Sequence, residues 1–331
     1  MKILLTVPNG DVKKRYFPPE QMAHLRQIGE VTENPYDRQY TREELKTLLP
    51  KYDVVLTHWR STQYDSELLG CAPNLKILAH CAGTVAHIAS EECYKRGIHV
   101  LSANPIMAEY VAESALGLMI SGLRRILPYD QMMREGRWEQ VIYRNMSLFD
   151  VHVGLVGLGA VGRSLLNLLR PFGCPVTVFD PYLPAGALAK WPFARQGSLE
   201  EALRCEVVSV HASQTPETHH MLNRETLALL PDGALLINTA RGSLIDTDAL
   251  IPELESGRIC AALDVFEHEH MPQPDGLLAC RENLILQPHK AATPVGSRMT
   301  DGILADLERF ARGEKMQLTV SHEQFLHMTQ E

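Results

Sequence analysis

The sequence predicts an α/β protein of two domains, each built on a parallel β-sheet with helices on both faces. Three observations in the 331-residue chain support this. Short apolar runs alternate with amphipathic helical segments, a long helix rich in small residues interrupts that rhythm once, and the alternation then resumes. The runs are apolar throughout rather than at every second position, which suits strands buried on both faces.

The first series opens with "KILLTV" at 2–7. Pro8, Asn9 and Gly10 cut this run short, so it reads as a strand and not as a secretion signal. "DVVLTH" (53–58), "LKILAH" (75–80) and "IHVLSA" (98–103) are the next strand candidates. Between them Thr41 to Leu49 is a helix candidate, with Thr41 and Glu44 at capping-box spacing. After Pro105, residues 106–127 read as one long helix whose Ala, Gly and Ser content allows close packing, including against another chain.

The second series contains "VHVGLVG" (151–157), "PVTVFD" (175–180), "EVVSVHA" (206–212), "ALLINTA" (234–240), "ICAALDV" (259–265) and "NLILQP" (283–288). Helices are expected at about 160–172, 198–203, 223–230 and 247–256, with Ser198 and Glu201 again at capping-box spacing. Six strands joined by such crossovers predict a doubly wound sheet. The run from Pro294 to about Arg312 is helical and has no strand of its own to cover, so it is expected to return to the first domain. With no Gly/Ser linker, hinges are expected near Asn104-Pro105 and Pro288-His289, giving domains of 1–104 with 289–331 and of 105–288.

Composition narrows the function. A chain with 45% apolar and 22% charged residues buries sizeable cores. Its formal charge of -8 and lack of a basic block argue against nucleic acid as a partner, and no membrane association is expected. The seven cysteines form no CxxC pair and suit reduced thiols in a cytoplasmic protein.

Gly157, Gly159 and Gly162 stand in G-x-G-x-x-G spacing, with a strand leading in and a helix leading out. Asp180 ends the next strand 18 residues after the last glycine. This context marks a dinucleotide site: a tight turn at Gly157, close approach of a pyrophosphate at Gly159, and close helix packing at Gly162. The Asp180 carboxylate suits a ribose hydroxyl and repels a 2′-phosphate, so NAD is expected over NADP. Three further polar groups follow strand ends: Arg241 after "LLINTA", Glu269 after "ICAALDVFEH" and His289 after "LILQP". An imidazole to move a proton, a carboxylate to orient it and a guanidinium to clamp a carboxylate are the tools for reversible oxidation of a 2-hydroxy acid.

The chain resembles the D-isomer-specific 2-hydroxyacid dehydrogenases over nearly its whole length. The residues that carry the resemblance are "VGLGAVG" with Asp180, "VVSVHASQTPETHHMLN", "LINTARGSLID", "AALDVFEHE" and "LQPHKAATP"; "NLKILAHCAGTVAHI" and "NPIMAEYVAESAL" match more loosely. The resemblance implies a Rossmann-type domain inserted in a smaller flavodoxin-like substrate domain. It implies that Arg241 binds the substrate carboxylate and carbonyl, that Glu269 pairs with His289, and that His289 is the acid/base. Cofactor contacts are implied at Ala160, Val161, Thr239, Ala240, Asp264 and His289 besides the glycines and Asp180, with Asp264 facing the nicotinamide carboxamide. The loop at Ala82, Gly83 and Thr84 would offer backbone N–H groups to the substrate. Departures from the family pattern are Thr84, Val85, Ala86 and His87 in place of a Gly-rich turn and Asp-Asn, His270 after Glu269 with the proline delayed to Pro272, and Lys290 after the histidine.

Several residues carry two readings. Glu267 competes with Glu269 as partner carboxylate, and the register of "DVFExE" favours Glu269. His211 lines the cofactor site or satisfies strand-end carbonyls. His268 and His270 read as a solvated loop and not a metal site, so no metal is expected. Glu109 and Glu113 read as interface contacts. Arg60 and Trp59 follow a first-domain strand and read either as a surface loop or as reaching the pocket, where Arg60 would face the substrate's distal group and favour polar or anionic tails. A homodimer through the cofactor domain is expected, with Trp138 at or near the contact. The competing class is an NAD-sensing binding protein or corepressor on the same fold. Formate dehydrogenase-like chemistry is disfavoured because that family places an amide beside the histidine, and an allosteric phosphoglycerate dehydrogenase of the longer type is not expected.

Overall fold

The computed structural model describes residues 1–138 and 145–329; residues 139–144 and 330–331 lie outside the described residues. The chain divides into two compact units, Met1–Met107 with Thr293–Glu331, and Ala108–Ala292.

The first unit holds strands β1 (Lys2–Leu5), β2 (Glu30–Glu33), β3 (Val54–Thr57), β4 (Ile77–His80) and β5 (His99–Ser102). All neighbours run parallel in the order β2-β1-β3-β4-β5, the flavodoxin-like arrangement. β2 is absent from the sequence reading. Its residues, "EVTE", include two carboxylates and none of its positions is buried, as befits an edge strand with one neighbour. Leu4, Val55, Leu78 and Val100 pack with Leu45, Leu68, Val85 and Ile88 in the core of this unit. Helix Arg42–Leu48 carries the expected Thr41/Glu44 capping box. Helix Arg298–Ala311 packs on helix Pro19–Ile28, where Gln21 Nε2 donates to Asp301 at 2.9 Å and His24 meets Glu308 at 2.7 Å.

The second unit holds strands β6 (Val153–Val156), β7 (Val176–Phe179), β8 (Ala194–Gln196), β9 (Val207–Val210), β10 (Leu235–Asn238), β11 (Cys260–Leu263) and β12 (Leu284–Leu286). They form one parallel sheet in the order β12-β11-β10-β9-β6-β7-β8, a doubly wound sheet of Rossmann type whose order reverses between β6 and β9. β8 is a seventh strand beyond the six expected; "ARQ" at the sheet edge has no apolar run to announce it. Alternate residues feed two cores. Val153, Leu155, Leu235 and Ile237 face one, while Val156, Val208, Val210 and Leu236 face the other.

The long helix ends earlier than expected. It spans Asn104–Leu123 and sets Ala112, Ala115, Leu118, Met119 and Leu123 into the second unit's core. Arg125 then adopts a left-handed φ of 54°, and a separate helix, Ile126–Arg134, begins. The Arg125 guanidinium holds the break by donating to Cys260 Sγ at 2.7 Å, the Glu282 carbonyl at 2.6 Å and Asn283 Oδ1 at 3.2 Å.

Candidate active site

The glycine loop joins β6 to helix Ala160–Leu169, and each glycine meets a different constraint. Gly157 has φ 95°, and a Cβ there would come within 2.6 Å of the Ala212 backbone nitrogen. A Cβ on Gly162 would approach the Gly157 carbonyl oxygen at 2.6 Å, so the helix sits directly on the turn. At Gly159 a Cβ would meet nothing within 4 Å. Gly159 is the N-cap and no side chain among the described residues caps the helix, so its N-terminus is available to an anion such as a pyrophosphate. Asp180, at the end of β7, braces the loop: its Oδ2 accepts the Leu158 N–H at 2.8 Å and its Oδ1 the Tyr182 N–H at 2.9 Å. The Thr239 hydroxyl is buried and has no hydrogen-bond partner among the described residues, a second polar group suited to a bound cofactor.

Arg241, Glu269 and His289 follow β10, β11 and β12, three adjacent strands. Asn238 pairs with Leu263 and Leu263 with Leu286, so the chain leaves all three ends at one level of the sheet. Asn238, buried, shapes the first turn. Its Nδ2 donates to the Arg241 carbonyl at 2.8 Å and its Oδ1 accepts the Ala240 N–H at 3.0 Å. The Arg241 side chain is half-buried and donates to the Ala240 carbonyl at 2.8 Å.

His289 Nδ1 lies 2.8 Å from Glu269 Oε2, with half of the imidazole exposed. His289 occupies the left-handed region at φ 53°, a conformation that non-glycine residues adopt chiefly where surrounding bonds impose it. Asp264 supplies those bonds. Its carbonyl accepts the His289 N–H at 2.7 Å, and its fully buried carboxylate accepts the N–H groups of Lys290 at 2.8 Å and Ala291 at 3.0 Å.

Glu267 lies elsewhere. Its Oε1 is 2.5 Å from His220 Nε2 and its Oε2 accepts the Thr247 N–H at 3.0 Å. Burial pushes its carboxyl up, but the bonds from Thr247 and His220 outweigh this and hold it below the usual range.

A family model described as "D-isomer specific 2-hydroxyacid dehydrogenase, NAD binding domain" matches residues 116–291. The chain belongs to that family. The second unit is thus the NAD-binding domain of a D-isomer-specific 2-hydroxyacid dehydrogenase. A glyoxylate reductase of Thermofilum pendens is 32% identical over 298 residues, covering 88% of this chain and 87% of that protein. A D-3-phosphoglycerate dehydrogenase of Methanocaldococcus jannaschii is 29% identical over 318 residues, 95% of this chain; the chain spans 58% of that longer relative. The solved phosphoglycerate oxidoreductase of Rhizobium etli superposes with a TM-score of 0.82 at 25% identity, covering 97% of this chain and 99% of that one.

Other residues singled out in the sequence of this family member take the following places. His211, after β9, meets the Ser209 hydroxyl at 2.9 Å, and burial pushes its imidazole down to about 4. His268 and His270 are exposed on the loop around Glu269. Glu109 and Glu113 are exposed on the long helix. In the first unit, Trp59 and Arg60 follow β3 and are exposed, with Arg60 at φ 65°. After the neighbouring β4, Ala82 and Gly83 are buried, and the Ser102 hydroxyl donates to the Gly83 carbonyl at 2.5 Å. The Thr84 hydroxyl faces Met328 Sδ at 3.8 Å.

Sequence reasoning misses a histidine cluster beside these segments. His58 and His80 are buried at the ends of β3 and β4, with ring centroids 6.5 Å apart, and His87 is 6.2 Å beyond His80. Both His58 ring nitrogens, His80 Nε2 and His87 Nδ1 have no hydrogen-bond partner among the described residues. Burial pushes His58 down to about 3 and His80 well below its ordinary value. A histidine ending each of two strand runs was the only signal in the sequence.

Proposed function

We propose that the chain interconverts a small 2-oxo acid and the corresponding 2-hydroxy acid with NAD as redox partner. The observation that carries this reading is the 2.8 Å contact between His289 Nδ1 and Glu269 Oε2 beyond the dinucleotide loop. Glu269 occupies Nδ1, which leaves Nε2 to give a proton to the substrate oxygen during reduction and take it back during oxidation. The carboxylate holds the ring in one orientation and stabilises the imidazolium. The Arg241 guanidinium anchors the substrate carboxylate through paired N–H bonds. NADH, when bound, supplies the hydride. Gly157, Gly159, Gly162, Ala160, Val161, Asp180, His211, Thr239, Ala240 and Asp264 form the cofactor site in this reading.

The first unit is assigned to substrate binding through Ala82, Gly83, Thr84 and Arg60. Likeness to a glyoxylate reductase and a phosphoglycerate dehydrogenase supports a small 2-oxo acid. A homodimer through the second unit is part of the same reading, supported by exposed Ile126, Leu127, Met133 and Trp138 in the segment expected at the interface; sedimentation as a monomer at micromolar concentration contradicts it. A cytoplasmic location fits the seven free thiols. The test of function is a panel of 2-oxo acids followed by NADH absorbance: turnover of at least one supports the reading, and turnover of none with NADH bound contradicts it.

A further inference from the structure

The segments bearing Arg241 and Glu269 are bonded into one block, and the carboxylate at its centre is Glu267. From the Glu269 loop, Glu267 reaches Thr247, the first residue of helix Thr247–Glu255, and His220 Nε2. His220 is itself tied to the segment after Arg241. Its backbone N–H donates to the Ser243 carbonyl at 2.8 Å, Leu222 N–H donates to the Leu244 carbonyl at 3.0 Å, and Asp246 N–H returns to the Leu222 carbonyl at 2.9 Å. Gly242 closes the third side, since a Cβ there would overlap the Phe266 carbonyl group. Stretches 220–222, 241–247 and 266–267 therefore contact one another in a ring. His220 sits at a left-handed φ of 50°, a conformation that persists where neighbouring bonds over-determine it.

We infer that Glu267 and His220 form a positioning latch that holds the Arg241 and Glu269 segments at the spacing their chemistry needs. Neither residue is a catalytic residue in this account; the latch acts through Glu269 and Arg241, and the inference rests on the function proposed above. The Glu267 position also suits its charge, because a carboxylate at a helix N-terminus is stabilised by the first-turn N–H groups.

The experiment uses the full chain and the variants Glu267→Ala, Glu267→Gln, His220→Asn, Glu269→Gln and the double variant Glu267→Ala/Glu269→Gln. Asn is chosen at 220 because it tolerates the left-handed backbone. Glu267→Ala and His220→Asn are each expected to lower kcat about tenfold while the Kd for NADH stays within about twofold. Glu267→Gln keeps an oxygen for the Thr247 N–H and should recover most of the rate. In the Glu269→Gln background, Glu267→Ala should cost less than about twofold more, the non-additivity expected of residues acting through one another. A readout free of turnover accompanies these: the His289 imidazole nitrogen resonances should move in Glu267→Ala towards their positions in Glu269→Gln. Rate losses that multiply in the double variant, or His289 resonances unmoved in both Glu267→Ala and His220→Asn, overturn the latch. If Glu267→Ala does not fold, His220→Asn decides by its rate and its resonances. An enzyme inactive on every 2-oxo acid whose His289 resonances still move sinks the proposed chemistry and leaves the latch standing.

Discussion

The backbone N–H of His289 donates to the Asp264 carbonyl at 2.7 Å, and the Asp264 carboxylate takes the next two N–H groups of the chain. One buried residue at the end of β11 thus sets the turn that presents the imidazole after β12. Replacing Asp264 by Asn removes the charge and turns an NH2 group towards an N–H donor. The variant should lose about 2 to 3 kcal/mol, because a charged hydrogen bond is lost and a donor left unpaired. Calorimetry should show Tm lower by roughly 4 to 12 °C for a unit of this size. An unchanged Tm means that the carboxylate does not hold the loop.

The glycine loop separates folding from cofactor binding. Gly159→Ala adds a Cβ that meets nothing in the free protein, at an ordinary φ of -71°, so Tm should stay within a degree or two, the shift expected for about 0.5 kcal/mol. NADH binding should weaken by about tenfold or more, since the methyl occupies the approach of the pyrophosphate. Gly157→Ala should do the reverse first, lowering Tm through its φ of 95° and its contact with Ala212. Equal effects of the two substitutions on Tm contradict this division.

Asp180 should set the choice of cofactor. With its oxygens oriented by the Leu158 and Tyr182 N–H groups, its carboxylate should accept from a ribose hydroxyl and repel a 2′-phosphate. The kcat/KM ratio for NADH over NADPH should be about tenfold to thousandfold, or roughly 1.4 to 4 kcal/mol. Equal values remove Asp180 from the cofactor site.

His58 and His211 should make the fold acid-sensitive. His58 is held down to about 3 and His211 to about 4 by burial, so below an unfolded value of about 6.5 the unfolded chain binds protons that the folded chain refuses. Stability is therefore complete above that value and falls as pH drops from there towards the folded values. At pH 5 each such histidine costs about 2 kcal/mol. Tm measured from pH 7.5 to 4.5 should decline, and His58→Phe should flatten the decline; parallel curves for the two proteins contradict the assignment.

Most of the scaffold could be read from the chain because strands buried on both faces are predominantly apolar, and ten of the twelve strands among the described residues lie within such runs. The other two, "EVTE" and "ARQ", lie at sheet edges, have no buried position and leave no such mark. The break at Arg125 was invisible because "GLRRIL" is good helical sequence; only the distant Cys260, Glu282 and Asn283 select the left-handed turn. At the site, residue types at strand ends were enough to nominate Arg241, Glu269 and His289. The partners of the Asp264 carboxylate and the Thr247 contact of Glu267 were not, since those bonds run to backbone N–H groups on other segments, which any residue type but proline supplies.

The most direct test of the account is the rate of 2-oxo acid reduction by His289→Ala beside the unaltered enzyme, with NADH affinity measured on both. The account predicts a fall in kcat of about a hundredfold or more with the Kd for NADH within about twofold, because proton transfer is lost while the glycine loop and Asp180 are untouched. A variant that keeps kcat within about fivefold contradicts it, since general acid catalysis contributes more than that and some other group would be moving the proton.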